Sequence, residues 1–160
     1  MSELSVPALL SLTADIGDEL RRREVTRSSN NPAGDYAEYL FCKAFGWFQE
    51  PNSVKSYDAT DKVTNQRYQV KSRRLTEVST SRELGAIRNL EDQNFHFLAA
   101  ILFDRAYGIF RAALIPHTQV MRLSTFVKHT NAWRFILRDS VWSEPGVIDV
   151  SSRLKAAALV

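Results

Sequence analysis

Cysteine is nearly absent: Cys42 is the only one in 160 residues and cannot close a disulfide within the chain. That excludes a disulfide-stapled scaffold, and a chain of this length has room for one hydrophobic core without staples. Flanked by Leu40, Phe41 and Ala44, the thiol reads as a small buried hydrophobe ahead of a nucleophile. The six glycines form no phosphate-cradling loop, and neither a CxxC pair nor a GxSxG elbow occurs. These absences exclude P-loop nucleotide hydrolysis, zinc modules and acyl hydrolases. His96, His117 and His129 stand too far apart for zinc spacing, and His96 alternates with Phe95 and Phe97 as a polar strand residue would. No apolar run approaches the roughly 18 residues of a membrane helix. The longest, Phe97 to Phe103, has the length of a strand. The chain opens Met1-Ser2-Glu3-Leu4 without a basic leader, and Ser11, Thr13, Asp15 and Asp18 interrupt the apolar residues that follow. A cytoplasmic protein with no membrane partner is the expectation.

The charge that is present is mildly positive, +3 with a pI near 9.2, which permits an anionic partner without demanding one. Fifteen arginines against six lysines say more, because a guanidinium binds phosphate oxygens in bidentate fashion. The same arginines would equally serve to solvate a surface.

Helical spacing of Leu9, Leu12, Ile16 and Leu20 predicts a first helix over about 5–23, capped by Ser5 and closed by Arg21, Arg22 and Arg23. Asn31-Pro32 opens a second helix whose apolar face is Ala33, Ala37, Leu40, Phe41 and Ala44, with Gly46 as its stop. Trp47-Phe48 starts a first strand or an entry loop. A meander follows, with strands over about 54–60 and 67–75 joined by a polar turn around Asn65. In the second strand Arg67, Gln69, Lys71 and Arg73 share one face, while Tyr68 and Val70 point into a core. Leu84, Ile87 and Leu90 at spacing three predict a short crossover helix after a polar loop. A buried strand over 95–103 then turns through Asp104-Arg105-Ala106 into a hairpin partner over 107–115. A helix from Pro116 to about Leu123, a strand over 133–137 and a terminal helix within 147–159 complete the chain. The expected class is α/β with a mixed sheet, one domain over 1–160 with its core near 32–103.

The candidate chemistry lies in Tyr57-Asp58-Ala59-Thr60-Asp61 and, about a dozen residues later, Gln69-Val70-Lys71. Pairing of these strands brings a carboxylate, an amide oxygen and an ammonium to one patch. Hard oxygens suit Mg²⁺, and a cation beside them can orient a water at a phosphate. Asp61 rivals Asp58, although it stands at the edge of the turn, where aspartate commonly binds backbone N–H groups. Glu38, at the border of the second helix's apolar stripe, reads either as a third ligand or as a surface residue.

With Gly34-Asp35-Tyr36-Ala37-Glu38 on a helix, Asp58 on the next strand and Gln69-x-Lys71 on the one after, the chain resembles the PD-(D/E)xK nuclease superfamily. Within it, the resemblance is to members with glutamine in the D/E slot, such as the Mrr-like restriction endonucleases. The resemblance spans roughly 32–103. It implies a restriction-endonuclease-like core, α-β-β-β-α-β, with flanking helices and an added C-terminal hairpin and helix region. It also implies Mg²⁺- or Mn²⁺-dependent DNA cleavage: Asp58, Gln69 and Glu38 around the metal, Lys71 near the attacking water, and a homodimer as in two-site cutters. Arg73, Arg74, Arg82 and Arg88 are the expected contacts to DNA phosphates. The chain departs from the pattern in having Tyr57 rather than proline before Asp58, and Gln69 removes one negative charge from the site. Two other readings stay open. One is a non-catalytic nucleic-acid-binding or assembly module on the same scaffold. The other is a protein-interaction domain presenting Trp133, Phe135 and Trp142.

Overall fold

The computed structural model describes residues 3–159. Near its start, Ser5 accepts from the Ala8 N–H and caps helix α1, Val6–Arg22. α1 buries none of its residues, and Leu10 and Ile16 are 66% and 52% exposed. Helix α2, Pro32–Phe45, begins in the same way, with Asn31 accepting from the Ala33 N–H, and ends at Gly46, whose φ of 70° suits glycine. Its apolar face, Ala33, Ala37, Leu40 and Phe41, is buried.

Strands β1 (Phe48–Gln49), β2 (Ala59–Asp61) and β3 (Gln66–Arg74) form the expected antiparallel meander. β2 is shorter than the expected 54–60, because only Ala59 to Asp61 find partners on β3. Asn65 takes a positive φ in the turn between them. β3 runs parallel to β4, Phe97–Phe103, and β4 runs antiparallel to β5, Ile109–Pro116. A register shift at Leu102/Phe103 marks a bulge in this last pair. β4, with strands on both sides and an unbroken run of apolar residues, is buried on both faces.

The crossover from β3 to β4 is not the helix that Leu84, Ile87 and Leu90 predict. It is extended, with bridges from Glu83 to Ile136 and from Ile87 to Trp133, and ends in a single 3₁₀ turn, Leu90–Asp92. The three side chains are buried. They reach the core by pairing with the 133–136 chain, which supplies backbone partners that a spacing rule does not see. Downstream come α3 (His117–Leu123) and the hairpin β6 (Thr125–Val127) with β7 (Ala132–Arg134). The strand expected over 133–137 is thus split between β7 and a lone bridge. β8, Ile148–Asp149, adds a sixth strand to the sheet on the open side of β5 and leads into α4, Ser151–Ala158. Asp149 accepts from the Ser151 N–H and hydroxyl at the start of α4.

The sheet separates two cores. On one face α2 and α4 cover Tyr68, Val70, Ala99, Ile101 and Phe103. On the other, the 84–90 segment, α3 and the chain through Leu137 cover Leu98, Ala100 and Leu102. Phe135 is fully buried there, and Trp133 and Trp142 pack against the same cluster. Phe135 is therefore core, while Trp133 and Trp142 are partly buried at its border. No helix among the described residues is long and apolar enough to cross a membrane.

Candidate active site

The register of the meander creates the site. β2 pairs with β3 only as far as Ala59 opposite Tyr68. Asp58, one residue before, still uses its backbone N–H on the Tyr68 carbonyl at 2.8 Å, but its carboxylate then takes over. Asp58 Oδ2 accepts the Val70 N–H and the Gln69 side-chain amide, each at 2.7 Å. Beyond this point β3 is paired on its β4 side alone, up to Arg74 opposite Phe103. The open edge lines a cleft of about 470 Å³, which Asp58, Gln69, Lys71 and Glu38 all border. Asn31 and Gly34 at the start of α2, and Ser79 and Gly85 on the crossover, complete its walls.

Each side chain arrives by a different route. Lys71 lies on the Gln69 face of β3, and no carboxylate among the described residues pairs with it. A methyl group at Gly85 would make ordinary contact with the Lys71 Nζ at 3.9 Å, which places the crossover beside the amine. Glu38 comes from α2, its side chain 17% exposed, and accepts from the Gln49 amide at 3.0 Å and from Arg27. Arg27 also donates to the Glu50 carbonyl at 2.8 Å. Its own backbone N–H and that of Ser28 go to Asp35 Oδ2, at 2.9 Å each, which ties this segment to the first turn of α2.

Burial pushes the Asp58 carboxyl above its ordinary value, against the pull of the Val70 N–H and the Lys71 charge. Glu38 is raised as well, first by burial and then by the charge of Asp58, with Gln49 and Arg27 opposing. Two carboxylates thus face each other in a partly desolvated cleft, the condition under which a cation is attracted. Their oxygens, with the Gln69 amide oxygen, form a hard, all-oxygen donor set that fits Mg²⁺ or Mn²⁺. Among the described residues no cluster of three or more His, Cys, Asp or Glu converges on a metal position. The set therefore relies on two charges and neutral oxygens.

The other candidates divide. Asp61 binds the Val63 and Thr64 N–H groups at 2.9 and 3.3 Å and so serves the turn. Arg73 and Arg74 line the cleft; Arg73 donates to Ser79, while Arg74 donates to the Arg105 carbonyl and lies over the Tyr107 ring at 4.6 Å. Arg82 does not line it: Asp139 holds its guanidinium at 2.7 Å. Arg88 is exposed and also lies outside the cleft lining. The Cys42 thiol, one turn along α2 from Glu38, is pushed up to about 12 by burial and the neighbouring carboxylate, as an inert core residue would be. Arg27 and Gln49 escaped the sequence analysis. Arg27 sits in a polar break without periodicity, and only the chain's return along β1 brings Gln49 to Glu38. Comparison with known proteins finds no family model that matches the chain and no curated protein that matches it.

Proposed function

We propose that this cleft hydrolyses phosphodiester bonds of DNA with a divalent cation, in the manner of a PD-(D/E)xK nuclease. One observation carries the reading: Glu38 from α2, Asp58 from just before β2, and Gln69 and Lys71 from β3 border a single cleft at the unpaired edge of β3. The order of α2, β1, β2, β3 and β4 also agrees with a restriction-endonuclease-like core, apart from the missing crossover helix.

Asp58 and Glu38 would hold Mg²⁺ or Mn²⁺, with the Gln69 amide oxygen as a neutral partner. When bound, such an ion polarises the phosphate and stabilises the leaving oxygen. The Val70 N–H and the Gln69 amide keep Asp58 Oδ2 in place and leave Oδ1 for the cleft. Lys71, without a carboxylate partner among the described residues, brings an ammonium to orient the attacking water and to neutralise charge that develops on the phosphate. Arg73 and Arg74 extend the positive wall along the open edge, where they would bind phosphates on either side of the scissile bond.

The test is cleavage of plasmid DNA with and without Mg²⁺ or Mn²⁺. Full activity in Lys71→Ala or Asp58→Ala would remove these roles. The runner-up is a non-catalytic nucleic-acid-binding module, which the direction of the Gln69 amide favours: it donates to Asp58 rather than bringing a second anionic oxygen. Salt-sensitive DNA binding without cleavage, and without divalent-ion binding, would select it.

A further inference from the structure

Arg27 has no place in the chemistry above, yet it is held at the site with more care than a surface residue needs. Its backbone N–H is fixed to Asp35 at 2.9 Å, and the neighbouring Ser28 donates to the same oxygen through both its N–H and its hydroxyl. From that anchor one guanidinium nitrogen reaches Glu38 Oε2 and another reaches the Glu50 carbonyl at 2.8 Å. Glu50 is itself bound to the Asp58 carbonyl through its N–H at 2.8 Å. The planar fork thus spans the Glu38 side of the cleft and the strand end next to Asp58. With its side chain 28% exposed, Arg27 also has a face toward water into which it can withdraw.

We infer that Arg27 is a tethered stand-in cation, which neutralises Glu38 until a divalent ion displaces it. The inference rests on the cleft being a divalent-ion site. The negative charges of Asp58 and Glu38 are matched by Lys71 and by Arg27, which binds Glu38 from outside the lining, and Arg73 and Arg74 add two further positive charges to the cleft wall. An arriving divalent ion adds two positive charges, and a phosphodiester returns only one negative. A guanidinium left on Glu38 would then face the ion across a single carboxylate in a partly desolvated space, where like charges repel strongly. It would also occupy Oε2, one of the two Glu38 oxygens open to an ion. Release of Arg27 removes both penalties. In exchange, the protein without a bound ion keeps the half-buried Glu38 carboxylate compensated. Arg27 is therefore a positioning residue, acting through Glu38.

The experiment is Mn²⁺ titration of the full chain, followed by electron paramagnetic resonance, on the unaltered protein and on Arg27→Gln and Arg27→Lys. Arg27→Gln is expected to tighten Mn²⁺ binding on the order of tenfold, the scale of one nearby charge removed. Its melting temperature without Mn²⁺ should fall, and saturating Mn²⁺ should restore it. Arg27→Lys, which keeps the charge but cannot fork, should tighten binding by less. If Arg27→Gln destabilises too far to titrate, Arg27→Lys alone still decides the direction. Unchanged or weaker Mn²⁺ binding in both variants, with binding by the unaltered protein intact, overturns the stand-in role and leaves the cleft reading standing. Mn²⁺ bound by none of the three proteins overturns both.

Discussion

Asp58 and Asp61 bracket β2, a strand of three residues, and the two ends treat the same side chain differently. At the far end Asp61 faces solvent and gathers the N–H groups of its own turn, which hold its carboxyl below the ordinary value of 3.8. At the near end Asp58, half-buried, reaches across to the next strand and is raised above that value by desolvation. One end spends its charge on local backbone. The other keeps a carboxylate oxygen unused inside a cleft, at a cost in stability. A side chain whose environment opposes its charge is the better candidate for chemistry than one whose environment satisfies it.

The contrast can be broken first by cleavage. Asp58→Ala and Lys71→Ala should each lower DNA cleavage on the order of 10² to 10⁴-fold, the range for loss of a positioned catalytic group, whereas Asp61→Ala should leave it within a few-fold. Equal losses at the two aspartates, followed by plasmid nicking, would erase the distinction. Next in size is DNA affinity. Joint replacement of Arg73 and Arg74 by alanine should weaken DNA binding roughly tenfold and reduce the salt slope by about two. Replacement of Arg82 and Arg88, outside the cleft, should change neither; fluorescence anisotropy at several salt concentrations measures both pairs.

Smaller effects concern stability. Asp58→Asn keeps an oxygen for the Val70 N–H and removes a partly desolvated charge, so it should raise the metal-free protein's stability at neutral pH by about 1 kcal/mol while abolishing cleavage. The sign follows from proton linkage. A carboxyl raised in the folded state binds more protons there than in the unfolded chain, so Asp58 and Glu38 reduce stability as pH rises above the ordinary carboxylate range. Their contribution should flatten in the Asp58→Asn, Glu38→Gln double variant, read from urea melts across pH 4 to 8. Asp61 behaves in the opposite sense. Its lowered value adds stability that is present above 3.8 and is lost as pH falls below it. Asp61→Asn should therefore lower the melting temperature slightly at neutral pH and leave the acid end of the curve unchanged.

Local chemistry was legible wherever a residue's partners are near it in sequence. The caps Ser5 and Asn31, the Pro32 start and the Gly46 stop placed both long helices within a residue or two, because capping involves only neighbouring backbone. Alternation along 67–73 separated the buried Tyr68 and Val70 from the cleft-facing Gln69 and Lys71. The crossover was misread for the complementary reason: Leu84, Ile87 and Leu90 repeat at helical spacing, but the backbone partners of Glu83 and Ile87 lie some fifty residues later. Arg82 illustrates the same limit, since Asp139, the residue that holds it away from the cleft, is equally distant in the chain.

α1 and α2 mark the boundary between the two kinds of knowledge. Both have a capped start, proline in the first turn and an apolar stripe, and periodicity is enough to make each a helix. Only the fold decides that the stripe of α2 lies on the sheet, carrying Glu38 to Asp58, while that of α1 buries nothing. The sequence by itself determined the two capped helices, the faces of β3 and the residue types able to hold a hard cation. The tertiary structure alone decided that β2 stops pairing at Ala59, that the Val70 N–H turns to a carboxylate, and that Arg27 reaches Glu38. These are encounters between distant segments. They depend on register and packing, which the spacing of residues along the chain does not encode.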